Sequence, residues 1–188
     1  MNKIINASDV KPNFEKVKVE WSRLLSQYYD DKGEIKKQFL IDVFCPFCNQ
    51  KYFKDEFSIS GFRHVTCEDC KTVYVTPRLN NKCIDKLYSA DYYSEMYIKS
   101  MIPVFEKRKK LIGESKYNYI IKNYNNIGSV LDIGCGIGEV IDVFKDHNWD
   151  CHAIEFNPGA VKWLRSKDIN VSTTHFDDFK INIQFDVI

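Results

Sequence analysis

The stretch that decides the fold is VLDIGCGIGEV, Val130 to Val140, where an apolar run leads into three closely spaced glycines. The run SVLDI is typical of a buried strand and the following GEVIDVFKDHN of a helix, so the glycines occupy a strand-to-helix turn. Strand and helix alternate again through DCHAIEF, PGAVKWLRSK and INVSTTH, and the final QFDVI begins a fourth strand. This alternation predicts an α/β fold with an incomplete Rossmann-like parallel sheet, comprising its first four strands.

The glycine pattern favours one class of ligand over another. Gly134, Gly136 and Gly138 allow a tight turn and let a ligand approach the backbone without meeting a Cβ. The start of the following helix favours electron-rich ligand groups. A dinucleotide fingerprint would place its third glycine at position 139, which is Glu139, and that carboxylate would repel a pyrophosphate. The pattern therefore disfavours NAD and FAD.

Two acidic residues lie where a ligand of this loop would meet them. Asp132 lies inside the first strand, and Glu155 ends the second strand. An acid at the carboxyl edge of a parallel sheet can accept hydrogen bonds from both hydroxyls of a ribose. The alternative is purely structural: Asp132 supports the loop and Glu155 is a satisfied acid at a strand end.

VLDIGCGIGEV followed by HAIEFNPGAV resembles the first two motifs of class I S-adenosylmethionine-dependent methyltransferases. The resemblance implies a loop that wraps the methionine and ribose portions of the cofactor, and a strand-two acid that holds the ribose. It assigns cofactor binding to Asp132, Gly134, Gly136, Gly138 and Glu155. It also implies an acid after strand three for the adenine amino group. His175 stands at that place, so Asp177 is the candidate and Asp178 the alternative; the other interpretation is that both aspartates are solvated turn residues. No catalytic base is assigned.

Four of the seven cysteines form two CxxC pairs, and eighteen residues lie between the pairs. Two such pairs at this spacing predict a four-cysteine zinc ribbon with the ligands Cys45, Cys48, Cys67 and Cys70. A shell of four thiolates leaves no open coordination position, so this Zn²⁺ would be structural and would stabilise a segment with little core of its own. The alternatives are a redox CxxC or buried free thiols. The other cysteines, Cys83, Cys135 and Cys151, are predicted to be packing residues.

The remaining patterns predict the organisation of the chain. A helical stripe runs through residues 12–30, and strands are expected at 38–44 and 71–78 around the cysteine pairs. Residues 81–100 are expected to form a helix and then a loop. Residues 104–124 are expected to form a helix whose EKRKK run faces solvent. The predicted divisions are a helical segment at 1–37, a zinc ribbon at 38–80, a tyrosine-rich and helical connector at 81–126, and a partial cofactor-binding methyltransferase domain at 127–188.

Composition limits the partners. The 27 basic and 26 acidic residues give a formal net charge of +1, which disfavours a nucleic-acid partner. The N-terminus lacks the apolar core of a signal peptide, and no stretch approaches the about 20 apolar residues of a membrane span. These observations predict a cytoplasmic protein with reduced thiols.

The segment RHVTCEDCKTVYVTPRLNNKCIDKLYSADYY is similar to that of bacterial methyltransferases with an N-terminal zinc ribbon, many of which modify sugars or cell-surface polysaccharides. The resemblance implies a methyltransferase acting on a small molecule or a nucleotide-linked sugar. The alternatives are an RNA methyltransferase that docks through the ribbon, and a non-catalytic zinc-ribbon scaffold or remnant. The family fold has seven strands and this chain ends in the fourth. We therefore expect a fragment, a truncated product, or a sheet completed by a partner chain.

Overall fold

The computed structural model describes residues 10–88, 91–124, 126–174, 178–180 and 182–188. The chain divides into two compact units, Glu20–Leu87 and the combination of Met1–Val19 with Tyr88–Ile188. The fold is mixed α/β with a parallel sheet, which confirms the fold class predicted from the alternating pattern.

The unit Glu20–Leu87 contains two small antiparallel sheets. Helix α1 (Phe14–Ser26) leads into it, and its strands are β1 (Leu40–Ile41), β2 (Phe53–Ile59), β3 (Phe62–Cys67), β4 (Val73–Val75) and β5 (Arg78–Leu79). Strand β1 pairs with β5, and β2, β3 and β4 form a meander. Helix α2 (Asn81–Tyr88) follows. Its buried Cys83 and Leu87 pack with Leu25 and Tyr28 in one core cluster, and a second cluster surrounds the cysteine pairs.

The predicted strand at 38–44 is shorter than expected. A 3₁₀ turn occupies Lys37–Phe39, and only Leu40–Ile41 is extended in the sheet. Beyond it the Val43 N–H donates to the Thr76 hydroxyl at 3.1 Å rather than to a strand, as the chain enters the first cysteine turn. The hairpin of β2 and β3 was not predicted, because KDE interrupts its apolar alternation. Its signal is the Ser60–Gly61 turn, where both residues have positive φ.

The second unit begins with a series of helical segments. These are α3 (Asp91–Met101), a 3₁₀ turn (Ile102–Val104), α4 (Phe105–Arg108), a π-helical turn (Lys109–Gly113) and α5 (Glu114–Ile121). The predicted loop after residue 88 is therefore wrong over 91–101, which is helical. The prediction that the EKRKK run, Glu106 to Lys110, faces solvent is also wrong in part. Arg108 and Lys109 are only 11% and 16% exposed and form ion pairs within this unit.

The parallel sheet follows, with strands β6 (Ser129–Ile133), β7 (Asp150–Ile154) and β8 (Asn170–Ser172) in the order β6-β7-β8. Helix α6 (Ile141–Asp146) connects β6 to β7, and α7 (Pro158–Ser166) connects β7 to β8. The predicted fourth strand is reduced to a single parallel bridge between Val187 and Val130. It lies on the side of β6 away from β7. Asp186 anchors it by accepting bonds from the Ser129 N–H at 2.8 Å and the Tyr124 hydroxyl at 2.6 Å.

Apolar side chains of both connecting helices and of the sheet form the core of this unit, centred on Phe144 and Leu164. Phe144 packs edge-on against Tyr117 and Trp149. This packing fixes β6 and α6, and hence the loop between them. Within the residues described, no helix has the length and apolar character needed to cross a membrane.

Candidate functional site

The glycine loop between β6 and α6 is held in a conformation that favours glycine at all three predicted positions. Gly134, Gly136 and Gly138 have φ values of 72°, 58° and 78°, in the left-handed region that side chains with a Cβ rarely adopt. The N–H groups of Gly134 and Cys135 both donate to the Ile154 carbonyl, at 2.8 and 3.3 Å. The loop is thereby anchored to the end of β7.

The three glycines face different surroundings. A Cβ on Gly134 would meet nothing within 4 Å, so this position is open to a ligand. A Cβ on Gly136 would lie 2.7 Å from the Tyr97 hydroxyl, and one on Gly138 would lie 2.5 Å from a methyl group of Leu164. Gly136 is therefore covered by α3, and Gly138 allows α7 to pack closely against the loop.

Glu155 lies at the carboxyl end of β7 and is tied to the backbone on both carboxylate oxygens. Its Oε1 accepts from the N–H groups of Phe156 and Asn157, at 2.7 and 2.8 Å. Its Oε2 accepts from the Gly136 N–H at 2.7 Å. These three bonds give the carboxylate one orientation, beside the loop. Since the two oxygens together offer about four lone pairs, capacity for a ligand hydroxyl remains on Oε2.

Asp132, in β6, has the opposite character. Its carboxylate is partly buried, and among the described residues it accepts no hydrogen bond and forms no ion pair. Burial raises the pKa of Asp132 to about 6. Lys116 opposes this rise, and the charges of Glu139 and Glu155 add to it. When such a partly buried acid without a partner is ionised, its charge destabilises the folded protein unless a bound cation compensates it.

Glu139 does not have the role expected from the sequence, which was to repel a phosphate with its charge. It is buried, and the Arg108 guanidinium forms an ion pair with it. Arg108 also donates to the Val10 carbonyl at 2.6 Å. The π-helical turn that starts after Arg108 brings Gly113 against the Glu139 backbone, with no room for a Cβ. Glu139 is thus neutralised from within the protein, and Asp132 and Glu155 are the acids left to face a ligand.

The two cysteine pairs form matching turns in the other unit. In CPFCNQ, the Cys45 N–H donates to the Gln50 carbonyl at 2.9 Å, and the Asn49 N–H donates to the Cys45 carbonyl at 2.8 Å. In CEDCKT, the Cys67 N–H donates to Thr72 at 2.9 Å and the Lys71 N–H donates to Cys67 at 3.2 Å. Asn49 and Lys71 both have positive φ. Each turn presents its two sulfur atoms on the same side.

The sulfur atoms of Cys45, Cys48, Cys67 and Cys70 all lie within 4.8 Å of one another. The Cys45–Cys70 and Cys48–Cys67 distances are 3.5 Å. A tetrahedral Zn²⁺ with bonds of about 2.3 Å needs sulfur atoms about 3.8 Å apart, so the cluster fits such an ion. The Thr72 hydroxyl, 3.2 Å from Cys70 Sγ, lowers the pKa of that thiol and favours the thiolate that binds metal, whereas burial and the other three thiols raise the pKa of Cys48.

The adenine acid is the part of the predicted site that the structure leaves open. Asp177 and His175 lie outside the described residues, and Asp178 is exposed. Sequence reasoning missed Tyr97 and Arg108. Tyr97 lies in a segment predicted to be a loop, and the basic run around Arg108 gave no signal that it would turn inward. Of the three predicted packing cysteines, Cys83 and Cys135 are buried, and Cys151 is partly buried against the core around Phe144.

Comparison with known proteins adds one decisive observation. Residues 103–188 match the family described as "Methyltransferase domain". This part of the chain, which holds the glycine loop and both acids, is therefore similar to methyltransferase domains. The match spans slightly less than half of the chain and includes neither the cysteine cluster nor α3. No curated protein sequence matches the chain significantly.

Similar solved structures include the plantazolicin methyltransferase BpumL in complex with a triazolic desmethylPZN analog and SAH. It shares 21% identity over 55% of this chain and 43% of that chain, with a TM-score of 0.43. A second BpumL structure, with SAH, shares 18% identity over 55% and 44%, with a TM-score of 0.42. The glycopeptide N-methyltransferase MtfA shares 17% identity over 44% and 43%, with a TM-score of 0.35. The chain covers less than half of each of these proteins.

Proposed function

We propose that the chain is an S-adenosylmethionine-dependent methyltransferase, or the cofactor-binding part of one, that carries a structural Zn²⁺ in its cysteine cluster. The proposed methyl acceptor is a small molecule or a nucleotide-linked sugar. The family match supports methyl transfer but names neither the cofactor nor the acceptor. The charges around the glycine loop support the choice of cofactor.

The observation that carries the proposal is Asp132, a partly buried acid that accepts no hydrogen bond and forms no ion pair among the described residues. Glu139 is neutralised by Arg108, while Asp132 and Glu155 present negative charge beside the open Gly134. A ligand with positive charge would relieve the electrostatic cost of ionising Asp132, and one with a pyrophosphate would increase it. S-adenosylmethionine has a sulfonium and an ammonium group and no phosphate. The site therefore favours it over NAD or FAD.

The chain's own residues would bind and orient this cofactor. We assign ribose binding to Glu155, whose carboxylate is already oriented by three N–H groups and keeps capacity for a hydroxyl on Oε2. We assign the cationic methionine portion to Asp132, with Gly134 as the point of close approach and Gly136 and Gly138 as the glycines that shape the loop. Asp177 remains the proposed adenine acid. Bound S-adenosylmethionine supplies a methyl group that is already activated, so the protein's contribution is chiefly alignment and exclusion of water.

Isothermal titration calorimetry tests the cofactor assignment. We expect the zinc-loaded chain to bind S-adenosylmethionine and S-adenosylhomocysteine and not NAD. Glu155→Ala is expected to weaken binding by about tenfold or more, because bonds to a charged acceptor are lost. Glu106→Ala, at an exposed acid of the same unit with no assigned role in binding, is the matched control. Absence of binding by the wild type would overturn the proposal and favour a non-catalytic scaffold. An unchanged affinity in Glu155→Ala would refute the ribose assignment.

Metal analysis tests the zinc assignment. We expect one Zn²⁺ per chain, lost in Cys67→Ser and retained in Cys83→Ser, which alters a buried cysteine of the same unit outside the cluster. A disulfide within the cluster of freshly purified protein, in place of the metal, would favour the redox alternative.

The acceptor class and compartment are supported only by the sequence. The resemblance of the ribbon segment favours sugars, and the seven unpaired cysteines fit a reducing cytoplasm. Transfer of labelled methyl from S-adenosylmethionine to nucleotide-linked sugars, with RNA offered in parallel, separates the proposal from an RNA methyltransferase. Labelling of RNA alone would overturn the sugar assignment.

A further inference from the structure

Helix α3 packs against the glycine loop and the start of α7 through residues on one of its faces. The Ser94 hydroxyl donates to Asn157 Oδ1 at 2.7 Å. The Tyr97 hydroxyl lies over Gly136, and Ile98 lies over Gly159, each so close that a Cβ on the glycine would be within 2.7 Å of it. Positions 94, 97 and 98 share a face of a helix because they are three and four residues apart.

These contacts connect α3 to Glu155, the predicted ribose-binding acid, by two routes. Ser94 bonds to the side chain of Asn157, and the Asn157 N–H bonds to Glu155 Oε1 at 2.8 Å. Glu155 Oε2 accepts from the Gly136 N–H at 2.7 Å, and Gly136 lies beneath Tyr97, one helical turn from Ser94. Helix α3 therefore reaches the Glu155 carboxylate through Asn157 on one side and through Gly136 on the other.

Burial and a second hydrogen bond fix the hydrogen bond between Ser94 and Asn157. Ser94 is only 5% exposed, and a buried hydroxyl without a partner is costly. Asn157 Oδ1 also accepts from the Ala160 N–H at 3.0 Å, as the N-cap of α7, which fixes the side-chain amide with its oxygen toward Ser94. The serine is therefore the donor, and its hydroxyl holds the residue that helps to orient Glu155.

We propose that Ser94 and Tyr97 are positioning residues of the cofactor site. They act through Asn157 and Gly136 to preset the Glu155 carboxylate and the middle of the loop. The inference rests on the proposed cofactor function and extends the site to a helix that precedes the family match at residue 103. Preset groups bind a ligand more tightly because less ordering is needed on binding.

Calorimetry with S-adenosylhomocysteine on the full zinc-loaded chain tests this. Ser94→Ala and Tyr97→Phe are each expected to weaken binding by about three- to tenfold, the effect of losing one hydrogen bond or hydroxyl contact. Two controls are expected to leave affinity unchanged. Lys99→Ala removes an exposed side chain that pairs with Glu95 on the same helix, and Tyr119→Phe removes the hydroxyl of an exposed tyrosine.

Amide hydrogen exchange in the cofactor-free protein separates positioning from general destabilisation. The Gly136 N–H bonds to Glu155, and the Trp149 N–H bonds to the Phe144 carbonyl in the core. We expect both variants to speed exchange at Gly136 and not at Trp149. Equal acceleration at both amides, or wild-type affinity in both variants, would overturn the inference while leaving cofactor binding intact. Absence of binding by the wild type would instead overturn the proposed function, and this inference with it.

Discussion

Replacing Asp132 with asparagine should stabilise the cofactor-free protein at neutral pH while impairing the proposed site. The carboxylate is partly buried and, within the residues described, has no hydrogen-bond or ion-pair partner. Asparagine keeps the shape of the side chain and removes the charge. The substitution therefore separates the cost of the acid from the packing around it.

The size and sign of the effect follow from the raised pKa of Asp132. The folded value is about 6 against an ordinary value of 3.8. Between about pH 4 and 6 the folded state holds a proton that the unfolded state releases, so stability falls as pH rises through this window. Above about pH 6 the full cost is present. A difference of about two units corresponds to about 3 kcal/mol.

Urea unfolding followed by tryptophan fluorescence, on cofactor-free protein, measures this difference. Asp132→Asn and wild type should have similar unfolding free energies near pH 4, and the variant should gain about 2 to 3 kcal/mol by pH 7. Comparing the variants at each pH cancels the loss of zinc in acid. The exposed Asp178→Asn should show no such trend. A variant less stable than wild type at pH 7, or a difference that does not change with pH, would refute the reasoning.

Three further predictions concern the supports of the two sites. Gly113→Ala should lower the unfolding free energy by about 3 kcal/mol, because the new Cβ would overlap the Glu139 carbonyl. In the control Gly33→Ala, the new Cβ would meet nothing within 4 Å, so only the positive φ of this position should cost stability, by about 1 kcal/mol. Arg108→Met should lower the free energy of unfolding in urea by about 3 to 5 kcal/mol, because it leaves Glu139 buried and unpaired. Adding Glu139→Gln should recover part of this loss. A double variant no more stable than Arg108→Met would contradict the pairing. Chelation of zinc at pH 7 should remove the β-sheet circular dichroism of Glu20–Leu87, and Zn²⁺ should restore it. Zinc affinity should fall as the pH drops, because protons compete with the metal for the four thiolates. A spectrum indifferent to the chelator would exclude a structural metal.

The parts of the structure that the sequence predicted best depend on local chemistry. Three glycines with positive φ between a strand and a helix follow from steric rules that act within a few residues. The two cysteine turns are similar, because CxxC followed by a residue of positive φ closes its own hydrogen bonds. Strand β6 was predicted with its observed bounds, since its apolar run is bounded by Gly128 and Gly134.

The parts that the sequence could not predict depend on distant partners. Nothing local in EKRKK indicates that Arg108 meets Glu139, thirty-one residues later in the chain. The tyrosine-rich segment is polar enough to suggest a loop. It is helical because α3 finds a complementary surface on Gly136 and Gly159, which have no side chains to obstruct it. Such contacts arise from tertiary packing, which overrides local propensity.

The glycine pattern is a case where one motif combines residues with different physical duties. Gly134 is open, Gly136 admits the Tyr97 hydroxyl, and Gly138 admits Leu164. Only the first is placed to meet a ligand directly, while the other two set the loop between α3 and α7. A requirement for glycine at 136 and 138 therefore comes from the protein's own packing. In the proposed function, the chemistry of the ligand is instead selected by Asp132 and Glu155, which form no ion pair within the part of the chain that the structure describes.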